Sequence, residues 1–303
     1  MSNATISSIG REFILPFITP IDEVIRQRHS CRTYNKTPIS SEQVTRLAGF
    51  AEMLKVGIFG TSLRFVLAVV TEQDQKSLKG LGTYGLIKNP AGFIIGAAGP
   101  GVKNLEDFGY AMESIILYAT RLGLGSCWLG GNFTKSSFSR KIETTEEEIV
   151  PAVAAIGYAA KDGMYRDWLR RQAKSHTRRP WEELFFYKDL RTPLSEKSAG
   201  AYAKPLEMMR LAPSAHNYQP WRVVRDGPLF HFFLQRTRGY GPGSATFILF
   251  SMADLQRIEM GISMCHFQLT ADELGLKGRW EIKKPAILGP GDMVEYVSTW
   301  VCE

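Results

Sequence analysis

The chain has 303 residues, 44% of them hydrophobic, and a formal net charge of +7. That length suits two domains of about 150 residues, and the apolar content supports a core without a disulfide or metal staple. No apolar run approaches the roughly 18 residues that a spanning helix needs, so no membrane association is expected. The opening residues lack a basic head followed by an apolar stretch, so a cytoplasmic location is expected. Cys31, Cys127, Cys265 and Cys302 are far apart with no CxxC pair, a pattern of reduced thiols that argues against a zinc site. Positive charge gathers at Arg166, Arg170, Arg171, Lys174, Arg178 and Arg179. A solvated basic face accounts for this stretch as well as an anion site does. A helix-turn-helix, a zinc finger and an aromatic RNP motif are all missing, so a small phosphorylated ligand is expected and nucleic acid is not.

In chain order, Ile21–Gln27 has the spacing of a short amphipathic helix. Thr37-Pro38-Ile39-Ser40 then opens a second helix, with Ser40 as N-cap and Glu42 in its first turn. Strands are expected at Leu63–Val70 and Phe93–Ala98, followed by an apolar helix from about Leu105 to Leu122. Gly123 stands where a left-handed C-cap is wanted. After a strand at Val153–Tyr158 and the basic stretch, Thr192-Pro193-Leu194-Ser195 opens another helix with Glu196 in its first turn. Strands at Trp221–Val224 and Phe247–Met252 and a long apolar helix from about Leu255 to Leu274, closed by Gly275, complete the pattern. Strands mixed with two buried helices point to an α+β architecture.

The second series repeats the first. Gly109–Trp128 aligns without gaps on Gly261–Trp280 at a spacing of 152 (109 to 261). The Thr-Pro-x-Ser segments match at 155 (37 to 192), and Phe93-Ile94-Ile95 matches Phe247-Ile248-Leu249 at 154 (93 to 247). Three ordered matches indicate a duplication. The boundary falls near residue 190, giving halves 1–190 and 191–303 joined by a linker too short for free movement.

Three segments carry chemistry. Arg28-His29-Ser30-Cys31-Arg32 puts two guanidinium forks around a hydroxyl in a turn, which suits either an anion site or a solvated charged turn. Pro213-Ser214-Ala215-His216-Asn217-Tyr218-Gln219-Pro220-Trp221 is a rigid polar turn entering a strand. Gly123 to Gly131 is glycine-rich, which lets backbone approach a flat ligand closely. His231 and His266 lie on apolar elements and read as satisfied core or surface residues, and Trp128 and Trp280 read as packing residues at equivalent places.

Together these segments resemble the nitroreductase family of FMN enzymes. Arg28–Tyr34 is similar to its R-[RH]-S-x-[RK]-x-[FY] motif, Pro213–Trp221 to P-S-x-x-N-x-Q-P-W, Gly123–Gly131 to its glycine segment, and Arg178-Arg179-Pro180 to its K-x-R-x-P element. Relatives carry all the motifs once and dimerise, so that the Pro-Ser turn reaches each FMN from the partner. Here the first half reads Lys55–Leu63 where that turn should be, and the second half has no arginine-serine pair. The resemblance therefore implies a nitroreductase-like α+β fold whose two tandem half-domains form an intramolecular pseudo-dimer with one FMN site. Such a chain would be a monomer or a weak homodimer.

In that reading Arg28, Ser30 and Arg178 bind the FMN phosphate, and the Pro213–Asn217 turn covers it from the other half. Arg32 approaches the N1/O2 edge of the ring, where a cation offsets the charge gained on reduction. Backbone N–H groups of Gly130 and Gly131 face flavin N5. His29, Leu129, Pro213, Ser214, Ala215 and Asn217 complete the cofactor-binding set. The implied activity is reduction of nitroaromatics, quinones or similar small-molecule electron acceptors by NAD(P)H in a ping-pong hydride transfer. The alternative is a flavin-binding sensor or carrier without efficient turnover. No catalytic side chain or metal is expected, because the flavin carries the redox chemistry.

Overall fold

The computed structural model describes residues 19–70, 77–131, 133–160, 177–241, 243–244, 247–248, 252–287 and 293–303. The first half comprises helices α1 (Ile21–Gln27) and α2 (Ser41–Glu52), strands β1 (Leu63–Val69) and β2 (Gly92–Ala98), helix α3 (Asn104–Arg121), strand β3 (Gly125–Leu129), helix α4 (Lys135–Ile142) and strand β4 (Val153–Gly157). Strand β5 (Phe185–Tyr187) leads into helices α5 (Glu196–Ala199) and α6 (Ala203–Arg210). Strands β6 (Trp221–Asp226) and β7 (Leu229–Gln235), helix α7 (Leu255–Glu273), and strands β8 (Gly278–Glu281) and β9 (Val294–Cys302) follow.

The duplication is visible in the strand orders. The first sheet runs β1-β2-β4-β3 and the second β5-β6-β7-β9-β8, so removing β5 leaves the same four-strand antiparallel order in both. Both Thr-Pro-x-Ser segments cap helices as expected. Ser40 accepts from the backbone of Gln43 in a reciprocal capping box, and Ser195 accepts from Ser198 N–H at 3.1 Å. Gly123 and Gly275 close α3 and α7 with φ of +81° and +71°.

One expected strand is corrected. Phe247 and Ile248 are helical, with Ile248 N–H donating to Ser244, and the rest of that segment through residue 251 lies outside the described residues. The counterpart of β2 is β7, which forms a tight hairpin with β6 through Gly227 and Pro228. The first half has a long excursion between its paired strands, whereas the second has its long excursion between β7 and α7. The two length changes nearly cancel, which is why an apolar triplet appeared at a spacing close to that of the true repeat.

Helices α3 and α7 cross at the centre. A Cβ on Gly109 would lie 2.1 Å from the carbonyl oxygen of Ile258, and one on Gly261 1.9 Å from that of Glu106. The contact is reciprocal between equivalent positions, the signature of a two-fold relation. Glycine is required at both places because backbone packs on backbone. The first sheet is buried on both faces. Ile94 and Ala98 of β2 join the core of the paired helices, while Phe93, Ile95 and Ala97 join a separate cluster under α4.

Strand β5 pairs in parallel with β6, so the chain crosses onto the second sheet just before the expected boundary at 190. At the far end, Ile21 N–H donates to Glu273 Oε1 at 2.7 Å, fixing α1 against α7.

Cys31, Cys127 and Cys265 are buried and Cys302 is half-buried, none in a disulfide. Burial pushes the Cys127 thiol up to about 11 and the Cys265 thiol well above its ordinary value. Ellman's reagent at pH 8 is therefore expected to label at most Cys302 quickly in native protein, and all four thiols after unfolding. Rapid labelling of three or four in native protein would contradict this burial.

A candidate anion and cofactor site between the halves

A cavity of about 390 Å³ opens between the halves, inside the range of roughly 300–1,000 Å³ typical of cofactor and ligand sites. Its first wall is the segment after α1. Arg28 leaves the helix in extended conformation, and Cys31 N–H donates to Ser126 O at 2.7 Å, docking the segment on β3. Alternation along an extended chain then turns Cys31 into the core and presents Arg28, Ser30 and Arg32 to the cavity. Tyr34 anchors the far end, its hydroxyl donating to Ala155 O at 3.1 Å.

The second wall is the Pro-Ser turn. His216, Asn217 and Gln219 take φ of +50°, +58° and +51°, a left-handed geometry that asparagine tolerates better than most residues. Gln219 N–H donates to Ser214 Oγ at 2.9 Å, and Arg179 N–H to Gln219 Oε1 at 2.8 Å. Asn217 Nδ2 donates to Thr177 O at 3.0 Å, so the turn grips the segment that carries Arg178. The floor is the N-terminal part of α7, where Leu255, Ile258 and Ile262 supply apolar surface beside Glu259.

The site has surplus positive charge. Burial, reinforced by the nearby charges of Arg28 and Arg210, lowers the Arg178 guanidinium to about 10. Arg28 Nε and Nη1 and Arg32 Nε are buried without hydrogen-bond partners. Buried guanidinium nitrogens in that state call for an acceptor, and a phosphate or other oxyanion meets the need with charge-assisted bonds. The residues present thus fit a bound anion.

Arg28 is held from behind by a buried chain of side chains. Its Nε lies 3.7 Å from Glu113 Oε1, with the two side chains only 6% and 0% exposed. Glu113 also accepts from Trp128 Nε1 at 2.6 Å and meets His266 Nε2 at 2.9 Å. His266 Nδ1 lies 3.1 Å from Met208 O, a carbonyl that can only accept, so Nδ1 carries a hydrogen. One proton must then lie between His266 Nε2 and Glu113. His266 is the satisfied core residue its apolar helix suggested, and it also ties the second half to the arginine of the first.

Of the residues implied by motif, all but Leu129 and Gly131 line the cavity. Leu129 is 1% exposed and packs in the cluster under α4. At Gly131 a Cβ would strike Met252, and at Gly130 it would strike Leu255 at 2.6 Å. Both glycines therefore make room for side chains of the second half. Sequence reasoning missed Glu113 and Glu259, because a carboxylate on a helix with apolar residues around its circumference gives no signal of its own. His176 and Lys174, candidates for the lysine of the carboxy-terminal motif, lie outside the described residues. Among the described residues, no group of three His, Cys, Asp or Glu side chains could hold a metal ion, and no helix is long and apolar enough to cross a membrane.

Two duplicated α+β halves thus enclose a cavity lined by buried guanidinium nitrogens. The chain belongs to the family described as "Putative TM nitroreductase", which matches residues 20–271, and it is accordingly an oxidoreductase. A solved structure described as a "putative nitroreductase" from Thermotoga maritima is 19% identical, covers 94% of both chains and superposes with a TM-score of 0.57, so the two-half architecture is shared. An FMN-dependent nitroreductase from Clostridium difficile is 22% identical over 46% of this chain and 87% of its own, with a TM-score of 0.35. A nitroreductase family protein from Clostridium novyi is 20% identical over 47% and 87%, with a TM-score of 0.36. No curated protein matches the chain.

Proposed function

We propose that the protein binds one FMN per chain in this cavity and uses NAD(P)H to reduce nitroaromatics, quinones or similar acceptors in a ping-pong cycle. The observation that carries the reading is the convergence of Arg28 and Arg178, a buried and a half-buried guanidinium from distant parts of the chain, on one cavity capped by the Pro-Ser turn. Residues 1–190 then supply Arg28, Ser30, Arg32 and Arg178, and residues 191–303 supply the turn and the floor. A pseudo-dimer of this kind needs no second subunit to complete its site.

Arg28, Ser30 and Arg178 hold the phosphate, and Arg32 offsets negative charge at the N1/O2 edge of the ring. His29, Leu129, Gly130 and Gly131 line or back the ring side, with backbone N–H groups of the two glycines directed at N5. Pro213, Ser214, Ala215 and Asn217 close the site and exclude water. Bound FMN would supply two-electron exchange at N5, which lets a donor and an acceptor use one site in turn.

Purified protein is expected to be yellow, with one flavin per chain by absorbance and mass. The colour should bleach on anaerobic addition of NADH or NADPH and return with a quinone or nitroaromatic. Retained colour with both nucleotides would remove the reductase reading and leave a flavin carrier. A chain that takes up no FMN would remove both.

A further inference from the structure

Asp107 in α3 and Glu259 in α7 are equivalent positions of the repeat, at the same spacing as Gly109 and Gly261 (107 to 259). Each accepts from the backbone of a loop in its own half. Asp107 is buried and fully used, Oδ1 accepting from Phe59 N–H at 2.8 Å and Oδ2 from Thr61 N–H at 3.0 Å. The loop lies so close that a Cβ on Gly57 would fall 2.2 Å from Asp107 Cγ. This is the side whose loop lost the Pro-Ser motif, and its carboxylate is closed off by backbone.

Glu259 is used only by half. It is 3% exposed, and its Oε1 accepts from Ala215 N–H, within the Pro-Ser turn, at 2.7 Å. Its Oε2 is buried without a hydrogen-bond partner, and the side chain lines the cavity. Burial, with a smaller push from Asp254, raises this carboxyl to about 8 against the pull of the Ala215 N–H. At neutral pH the group therefore carries a proton. Oε1 faces an N–H donor, so the proton belongs on Oε2, towards the cavity.

We propose that Glu259 presents Oε2–H as a hydrogen-bond donor to an uncharged oxygen of the ligand in this cavity, and that binding requires Glu259 in its neutral form. The inference rests on the flavin reading, since FMN offers such oxygens in its ring carbonyls and ribityl hydroxyls. Ionised, Glu259 would lose the donor and place a buried carboxylate in a site built for an anion. The other titratable or charged groups near it are Asp254 and Tyr240, and Arg26, Arg28, His29, Arg32, Arg178 and His216 around the cavity. Tyr240 is pushed well up by burial and Arg178 stays charged to about 10, so neither changes charge between pH 7 and 9. The FMN phosphate completes its second ionisation near pH 6, below that window.

The test is the dissociation constant of FMN, and of riboflavin as the phosphate-free probe, measured from pH 7 to 9 in wild type and Glu259→Gln. In wild type the neutral fraction falls about tenfold over that range, and affinity for both probes should fall by about the same factor. Glu259→Gln keeps an acceptor for Ala215 and a donor for the ligand, so its affinity should be near wild type at pH 7 and flat to pH 9. A flat wild-type profile, or an equal fall in the variant, overturns the proposal. So does a fall for FMN that riboflavin does not share, since that reports charge repulsion alone. Infrared difference spectra of ligand-free protein give a separate readout: wild type at pH 7 should show the carbonyl stretch of a protonated carboxyl that Glu259→Gln lacks, and its absence also overturns the proposal. If wild type binds no flavin at all, the flavin reading fails and the infrared band alone decides whether Glu259 is the neutral donor.

Discussion

Arg28→Ala is expected to weaken FMN binding by about 1.5–3 kcal/mol, the usual worth of a charge-assisted hydrogen bond, or roughly ten- to 150-fold in Kd. The loss should reach the upper end, because Arg28 Nε and Nη1 are buried with no hydrogen-bond partner to give up on binding. Removing the guanidinium also deprives Glu113 of a neighbouring charge, so some loss of stability should accompany it. Asn217→Ala should weaken FMN too, although it lies in the other half. It breaks the bond that holds Thr177, and with it the segment carrying Arg178. It also puts alanine at φ +58°, where the left-handed conformation costs about 1–2 kcal/mol. Asn217→Gly relieves that strain and isolates the lost bond. Flavin titration of the three variants, with urea midpoints as a check on folding, measures both effects. Unchanged affinity in Arg28→Ala and Asn217→Ala together would remove the shared site.

Gly109→Ala and Gly261→Ala should each destabilise the fold by about 3 kcal/mol, a severe overpacking cost set against total stabilities of about 5–15 kcal/mol. Alanine gains about 1 kcal/mol over glycine in a helix interior, so propensity alone would stabilise both variants. Sterics decide the sign. The added Cβ would sit 2.1 Å or 1.9 Å from a carbonyl oxygen of the facing helix, and backbone cannot swing aside as a side chain can. The helices must separate, and the shared core opens with them. Thermal or denaturant midpoints check this, and a neutral or stabilising result in either variant would show that the helices are not packed backbone to backbone.

The sequence displayed the repeat and the motifs because both are local. Capping serines, glycine C-caps and the Pro-Ser turn act within a few residues, so Ser40, Ser195, Gly123, Gly275 and Asn217 all sit where their chemistry predicts. The strand at Phe247–Met252 failed because apolar triplets recur by chance, and only hydrogen-bond partners distinguish β7 from a helical turn. The glycines at 130 and 131 meet a demand that is not local, since the space beside them is taken by Leu255 and Met252 from more than 120 positions away. Glu113, His266 and Glu259 were invisible as site residues for a related reason. Glu113 and His266 gain meaning only from each other across the helix crossing, and Glu259 from the turn at Ala215, and periodicity registers a helical position without what faces it.

The Glu113–His266 contact also sets an order of events during synthesis. Its partners are 153 residues apart in the chain, so at ribosomal rates of about 5–20 residues per second roughly 8–30 s separate their appearance. Throughout that interval the nascent first half holds a carboxylate meant for the interior, with Arg28 and Trp128 beside it and its imidazole unmade. Helix α3 must wait with one face wet, and the cavity has no floor until α7 emerges. A sheet assembled early thus depends on the last long helix, and truncation anywhere before Glu273 should yield a collapsed fragment that exposes apolar surface, not a working half.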